Sequence, residues 1–294
     1  MASTQSKLYH LLLRLINKKK YLRKQLASGK PAFFNCPEPP PKIRETCDVH
    51  KSQINGHKVF TLSPKNKPKS ENHILYLHGG AYVQCFNKFQ WYFLADLIRN
   101  TGSTIIAPDY PLAPVYNYKD AYEMVTTLYN KLIATVKNDN FILMGDSSGG
   151  GLALALAQKM RDEKIRQPNH IILLSPWLDI TLSNPDINNI EPADLFLEKE
   201  SLQRAGKLFA GNTDTANFLL SPINSSLDGL GNITVFTGSS EILAADARKL
   251  KRLAESGGND LTYYEYEGMM HGWMFLNLPE SKETRQQVFK LVQR

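Results

Sequence analysis

A chain of 294 residues with 42% apolar side chains can bury one large core, or a core with a small addition, and its apolar runs are far too short to span a bilayer. The formal charge of +7 is lopsided: residues 1–70 hold fifteen Lys/Arg against three Asp/Glu, and the remainder holds twenty against twenty-five. The three cysteines, Cys36, Cys47 and Cys85, are odd in number and lack metal-ligand spacing, which argues against a disulfide framework or a metal site and fits a reducing, cytoplasmic setting. No zinc finger, RNA-binding sheet signature or basic–aromatic interleaving points to nucleic acid.

In chain order, the apolar stretch at residues 8–16 is interrupted by His10 and Arg14 and has no small-residue cleavage site, so it does not read as a signal peptide. Residues 6–26 read instead as one amphipathic helix. Leu8, Leu11, Leu12, Leu15, Leu22 and Leu26 recur at helical spacing, with Lys18, Lys19, Lys20, Arg23 and Lys24 largely on the other face. That basic face permits an anionic partner or a membrane surface, but solvated lysines on an exposed helix are the favoured reading and membrane contact is not. Five prolines within residues 31–41 mark an extended linker. Two strands at 49–54 and 58–62 flank Asn55-Gly56, a strong hairpin dipeptide.

From residue 73 onward strands alternate with helices. Strands are expected at 73–77, 103–107, 141–144, 170–174, 233–237 and 261–266, and helices at 88–100, 120–136, 151–158, 243–256 and from 280. Residues 180–221 interrupt this rhythm with a loop and one helical patch near 198–210. Such alternation implies an α/β fold with a mostly parallel sheet covered on both faces.

The chemistry centres on Gly145-Asp146-Ser147-Ser148-Gly149-Gly150, set between an apolar strand and a breaker-free helix. Strand, sharp turn, helix is the context in which G-x-S-x-G is a nucleophile elbow. A serine hydroxyl needs a base, and the base needs a third group to fix its tautomer. Elbow hydrolases place these in the order serine, acid, histidine. Only His170 and His271 follow the elbow. His170 opens a strand, at the wrong edge of a sheet whose sites lie at strand carboxyl ends, so His271 is the expected base. Glu241, in the turn after the strand ending at Thr237, is the expected acid. Asp246, a turn and a half into the next helix, is the alternative, and Asp260 a distant third. Oxyanion donors are expected from the amide of Ser148 and from Gly80 and Ala81, with Gly79 in support, because His78-Gly79-Gly80-Ala81 matches the HGGG-type loop.

Taken together, His78-Gly79-Gly80-Ala81-Tyr82, Asp109-Tyr110-Pro111-Leu112-Ala113-Pro114, the elbow, Ser175-Pro176-Trp177-Leu178-Asp179 and His271-Gly272-Trp273 resemble the hormone-sensitive-lipase-like carboxylesterases of the α/β-hydrolase fold. The resemblance implies an eight-stranded core at 46–179 and 222–294. It also implies a small helical cap built from residues 1–45 and the insertion 180–221, with Leu11, Leu15, Phe196 and Phe209 assigned to its inner face. The implied activity is cofactor-independent, metal-free hydrolysis of small, short-acyl esters of the acetylesterase type. Two departures stand out: Ala81 replaces the third glycine of the loop, and Glu241 stands where most members carry aspartate. A membrane-surface lipase and a non-catalytic ligand-binding homologue are the alternative readings.

Overall fold

The short apolar runs become the centre of one sheet. The computed structural model describes residues 3–16, 19–28, 35–65, 68–136 and 140–293. Its strands are β1 (Cys47–Ile54), β2 (His57–Pro64), β3 (His73–Leu77), β4 (Thr104–Pro108), β5 (Phe141–Asp146), β6 (His170–Leu174), β7 (Asn232–Gly238) and β8 (Leu261–Tyr266). They lie in the order β1-β2-β4-β3-β5-β6-β7-β8. The β1–β2 hairpin turns at Asn55-Gly56, both at positive φ. β2 is antiparallel to both of its neighbours, and all pairings from β3 to β8 are parallel.

Nine helices are described: α1 (Thr4–Ile16), α2 (Lys19–Ser28), α3 (Lys88–Thr101), α4 (Tyr118–Ile133), α5 (Ser148–Asp162), α6 (Ile187–Ile190), α7 (Lys199–Ala210), α8 (Ala244–Gly257) and α9 (Pro279–Val292). The period of two along each strand divides the core into two layers. Leu75, Leu143, Ile171 and Val235 face α4, α5 and α8, whereas Ile74, Ile142, Ile172 and Phe236 face α3 and α9. The central strands are buried on both faces, which is why they read as continuous apolar runs. Local signals set the helix ends. Asn87 and Gln90 form a reciprocal capping box that starts α3, and Gly102 in the left-handed region ends it.

The N-terminal segment departs from expectation. Instead of one helix over 6–26 there are two, α1 and α2, with residues 17–18 outside those described. The stripe of leucines does not face inward as a unit. Leu22 and Leu26 pack on the core, but Leu8, Leu11 and Leu12 are solvent-exposed at 58%, 55% and 48%; the Leu15 side chain lies outside the described residues. The buried face of α1 carries Ser6, Tyr9 and Leu13 instead. Its rotation is set by Glu280 on α9, whose carboxylate accepts from the hydroxyls of Ser3 (3.1 Å) and Ser6 (2.7 Å). Periodicity identifies residues that share a face, but not which face finds a neighbour. In the proline stretch, residues 31–34 lie outside the description, and Pro41 opens a short 3₁₀ turn ending at Glu45.

Residues 180–221 carry the expected helix, α7, and the unexpected single turn α6. Asp179 fastens the base of this excursion. Its carboxylate accepts from the amides and hydroxyls of Thr181 and Ser183 and from the Ser221 hydroxyl, so the two ends of the insertion meet at one side chain. Those donors outweigh burial and hold its carboxyl below the ordinary aspartate value.

Candidate active site

β5 ends at Asp146 and α5 begins at Ser148, leaving Ser147 alone between strand and helix with φ 52. A non-glycine residue there is strained, and the flanking glycines make the turn possible. A Cβ on Gly145 would fall 2.2 Å from the Gly149 carbonyl oxygen, and one on Gly149 would fall 2.0 Å from that of Leu77. The Ser147 amide donates to the Leu174 carbonyl (2.9 Å), tying the turn to β6.

His271 sits in the loop after β8, its Nε2 3.0 Å from Ser147 Oγ and its Nδ1 2.5 Å from Glu241 Oε2. Glu241 is fully buried in the turn between β7 and α8. Its Oε1 accepts from Ser175 Oγ (2.8 Å), Thr237 Oγ1 (2.8 Å) and the Gly238 amide (2.9 Å). One carboxylate oxygen is therefore saturated by fixed donors and the other is left for the imidazole. Asp246 is also buried, on the first turn of α8. It accepts from Asn184 Nδ2 (3.0 Å) rather than from His271, its Oδ2 has no hydrogen-bond partner among the described residues, and burial pushes its carboxyl up to about 6. His170, at the opposite end of the sheet, bonds Thr234. Burial would lower the His271 pKa, but the contacting Glu241 carboxylate, with Asp194 and Asp146 beyond it, outweighs burial and raises it above the ordinary value.

The loop after β3 lies beside Ser147. Gly80, Ala81 and Tyr82 take positive φ in succession (138, 54 and 61). The Gly79 amide is occupied, donating to Asp146 Oδ1 (2.9 Å); Tyr76 Oη (2.6 Å) and Gln90 Nε2 (3.0 Å) donate to the same carboxylate. His78 packs between Phe86 and Tyr110 with its Nδ1–H donating to the Gly79 carbonyl (2.9 Å), and burial lowers its pKa to about 4, so it is a neutral ring that shapes the loop.

A cleft of about 230 Å³ opens over Ser147 and His271, walled by Tyr9, Leu22, Phe196, Leu197, Leu202 and Phe275. Asp146, whose carboxylate is engaged by three donors, is the only lining residue with a formal charge among those described. Cys85 also lines the cleft, its thiol pushed up to about 11 by burial and therefore a poor nucleophile. No group of three His, Cys, Asp or Glu among the described residues is arranged to hold a metal.

The sequence profile of the family described as alpha/beta hydrolase fold matches residues 74–275, a stretch that runs from β3 through the Ser147 turn to the His271 loop. The chain belongs to that family. It falls in the hormone-sensitive-lipase-like carboxylesterase branch and is a carboxylic ester hydrolase. An esterase of Acinetobacter venetianus is 31% identical over 215 residues, 72% of this chain and 71% of the relative. An acetyl-hydrolase of Streptomyces hygroscopicus is 29% identical over 214 residues, 72% of each. Among solved structures, a hormone-sensitive lipase from a metagenome library superposes with a TM-score of 0.86 at 25% identity, covering 98% of this chain and 97% of that one.

Three features of this hydrolase's site escape a reading of the sequence. Ser175, in the Ser-Pro-Trp-Leu-Asp motif, faces Glu241 because β6 and β7 are neighbours that end together. Asp146 is a loop tether hidden inside the serine motif. Asp194 is fully buried, accepting from the amides of Phe196 (2.8 Å) and Leu197 (2.9 Å) in the cleft wall and of Ile242 (2.8 Å) beside Glu241, and burial pushes it up to about 6 despite those donors. Its partner Ile242 lies 48 residues away, so no local pattern could have flagged it.

Proposed function

We propose that this hydrolase cleaves small, short-acyl, uncharged carboxylic esters through an acyl-enzyme, with Ser147 as nucleophile, His271 as base and Glu241 as the acid that orients it. The unbroken chain from Ser147 Oγ through both His271 ring nitrogens to Glu241 carries this reading. The Ser147 hydroxyl gives its proton to Nε2 as its oxygen attacks the ester carbonyl, and Glu241 holds Nδ1–H and steadies the imidazolium. The imidazolium returns the proton to the departing alcohol. Water then repeats the sequence on the acyl-enzyme and releases the acid.

The oxyanion is assigned to the amides of Gly80, Ala81 and Ser148. Successive positive φ values in the loop and the start of α5 beside the nucleophile support this, and the helix terminus favours the developing charge. Gly79 is assigned support, its amide being held by Asp146. Residues 1–45 and 180–221 form the cap, and 46–179 with 222–294 the catalytic core. Supporting this division, both cap pieces wall the cleft and are linked by Arg23 to Glu198 and by Lys19 to the Glu191 carbonyl. Phe196 lies in that wall, and Phe209 stacks on Tyr82 at 3.9 Å. The cleft's volume and its lack of a free charge favour short, neutral substrates. No cofactor or nucleic-acid partner enters the scheme.

The test is hydrolysis of p-nitrophenyl esters from acetate to laurate by wild type and Ser147→Ala. Turnover that is highest for short acyl chains and falls by roughly 10⁶ in the variant is the expected result. Binding of esters without turnover by the wild type would favour the ligand-binding alternative.

A further inference from the structure

α1 is apolar on two faces, and only one has a partner among the described residues. Ser6, Tyr9 and Leu13 turn inward, and Tyr9 forms part of the cleft wall. Leu8, Leu11 and Leu12, spaced to form one stripe, stand in solvent at 58%, 55% and 48% exposure. Single exposed leucines are ordinary, but three side by side on one short helix are not. The surrounding charge indicates what covers them. The first thirty residues hold eight Lys/Arg and no Asp or Glu, and Lys7 on α1 and Lys24 on α2 are exposed. A second copy would bring two such cationic segments together, at an electrostatic cost. No described helix is long and apolar enough to cross a membrane. A basic helix with a leucine stripe has the character of one that lies in the plane of an anionic lipid surface.

We propose that α1 docks the protein on anionic phospholipid bilayers, the Leu8, Leu11 and Leu12 stripe entering the headgroup–acyl boundary and the basic N-terminal segment lying against the headgroups. Because Tyr9 on the same helix walls the cleft, docking brings the cleft close to an interface where apolar esters concentrate.

The experiment is sedimentation of the full chain with phosphatidylcholine vesicles, with and without about one third phosphatidylglycerol. No ester is present, so the outcome is independent of the catalytic reading. Wild type is expected to pellet with the anionic vesicles at ~0.1 M salt and to be released at ~0.5 M. Leu8→Gln/Leu11→Gln/Leu12→Gln should weaken this partition about tenfold or more. Its far-UV circular dichroism and its hydrolysis of dissolved p-nitrophenyl acetate should stay unchanged, since none of the three lines the cleft. Lys7→Glu/Lys24→Glu should weaken binding to anionic vesicles alone. Three results would overturn the proposal: wild type remaining in the supernatant with anionic vesicles, equal salt-insensitive binding to neutral ones, or a dimer that the leucine variant converts to monomer without any vesicle binding.

Discussion

Glu241 and Asp246 are both buried acids near the end of β7, and their surroundings separate them. Glu241 has four hydrogen-bonding neighbours, and Asp246 keeps one oxygen without a partner among the described residues. Glu241→Gln should lower kcat by about 10³–10⁴, because the amide cannot stabilise the imidazolium, while Asp246→Asn should leave esterase rates within a few-fold. Asp246→Asn has its own signature in stability. The folded carboxyl titrates near 6 against 3.8 for the free group, so its contribution is fully present below about pH 4 and is lost as pH rises through about 6. The amide has no such loss. The variant should therefore be more stable than wild type by about 1–3 kcal/mol in urea unfolding at pH 8, with the gain shrinking as pH falls through 6. His271 gives a second pH signature. The proposed base must be neutral in the free enzyme, and Glu241, Asp194 and Asp146 all favour its charged form. The acid limb of kcat/KM should therefore inflect above 6.5, and Asp194→Asn should move that inflection to lower pH, because one of the three negative charges is gone.

The loop after β3 and the Ser147 turn behave as one element because Asp146 joins them. Asp146→Ala removes the acceptor for the Gly79 amide, Tyr76 Oη and Gln90 Nε2 together, leaving the first two buried and unpaired and Gln90 Nε2 with only its longer bond to the Gly79 carbonyl (3.4 Å). The loop should then lose its fixed approach to Ser147. Esterase kcat is expected to fall by about 10²–10³, the cost of losing an oxyanion donor, with a smaller change in KM, as initial rates over a range of ester concentration would register. What the sequence discloses here follows from physics. The Ser147 turn is legible because a serine flanked by glycines, between a strand and a helix, is a local pattern, whereas chain order narrows the acid only to Glu241 and Asp246, which hydrogen bonding then separates. Two other contacts at the site, Ser175 with Glu241 and Asp194 with Ile242, arise through strand adjacency and an excursion of 48 residues, and leave no local trace. The N-terminal leucines are a different failure. Their helical spacing is real, but the rotation of α1 depends on Glu280 of α9, 272 positions beyond Leu8.

The whole molecule has one sheet with a core layer on each face, and the proposed cap rests against it. Both core layers are completed by β1 to β8 and the helices around them. Among the described side chains of the first two helices, Leu13 is a buried core member, with Tyr9, Leu22 and Leu26 at the margins. Polar ties add to these: Ser3 and Ser6 to Glu280, Gln84 to Gln25, Arg23 to Glu198 and Lys19 to the Glu191 carbonyl. The one ion pair among these ties, Arg23 with Glu198, is exposed on the arginine side and contributes about 0–1 kcal/mol. Deleting residues 1–28 should therefore leave a chain that keeps its sheet by far-UV circular dichroism and unfolds cooperatively, though at lower temperature. The cleft loses the walls supplied by Tyr9 and Leu22, while the Ser147, His271 and Glu241 chain is hydrogen-bonded to Ser175, Thr237 and Gly238, none of them in the deleted segment. Binding should suffer more than chemistry. KM for p-nitrophenyl butyrate is expected to rise by about tenfold, as burial of part of an acyl chain is lost, with kcat changing far less. Equal losses in both constants would instead mean that the cap orders the hydrogen-bonded chain itself, and the division into core and cap would have to be redrawn.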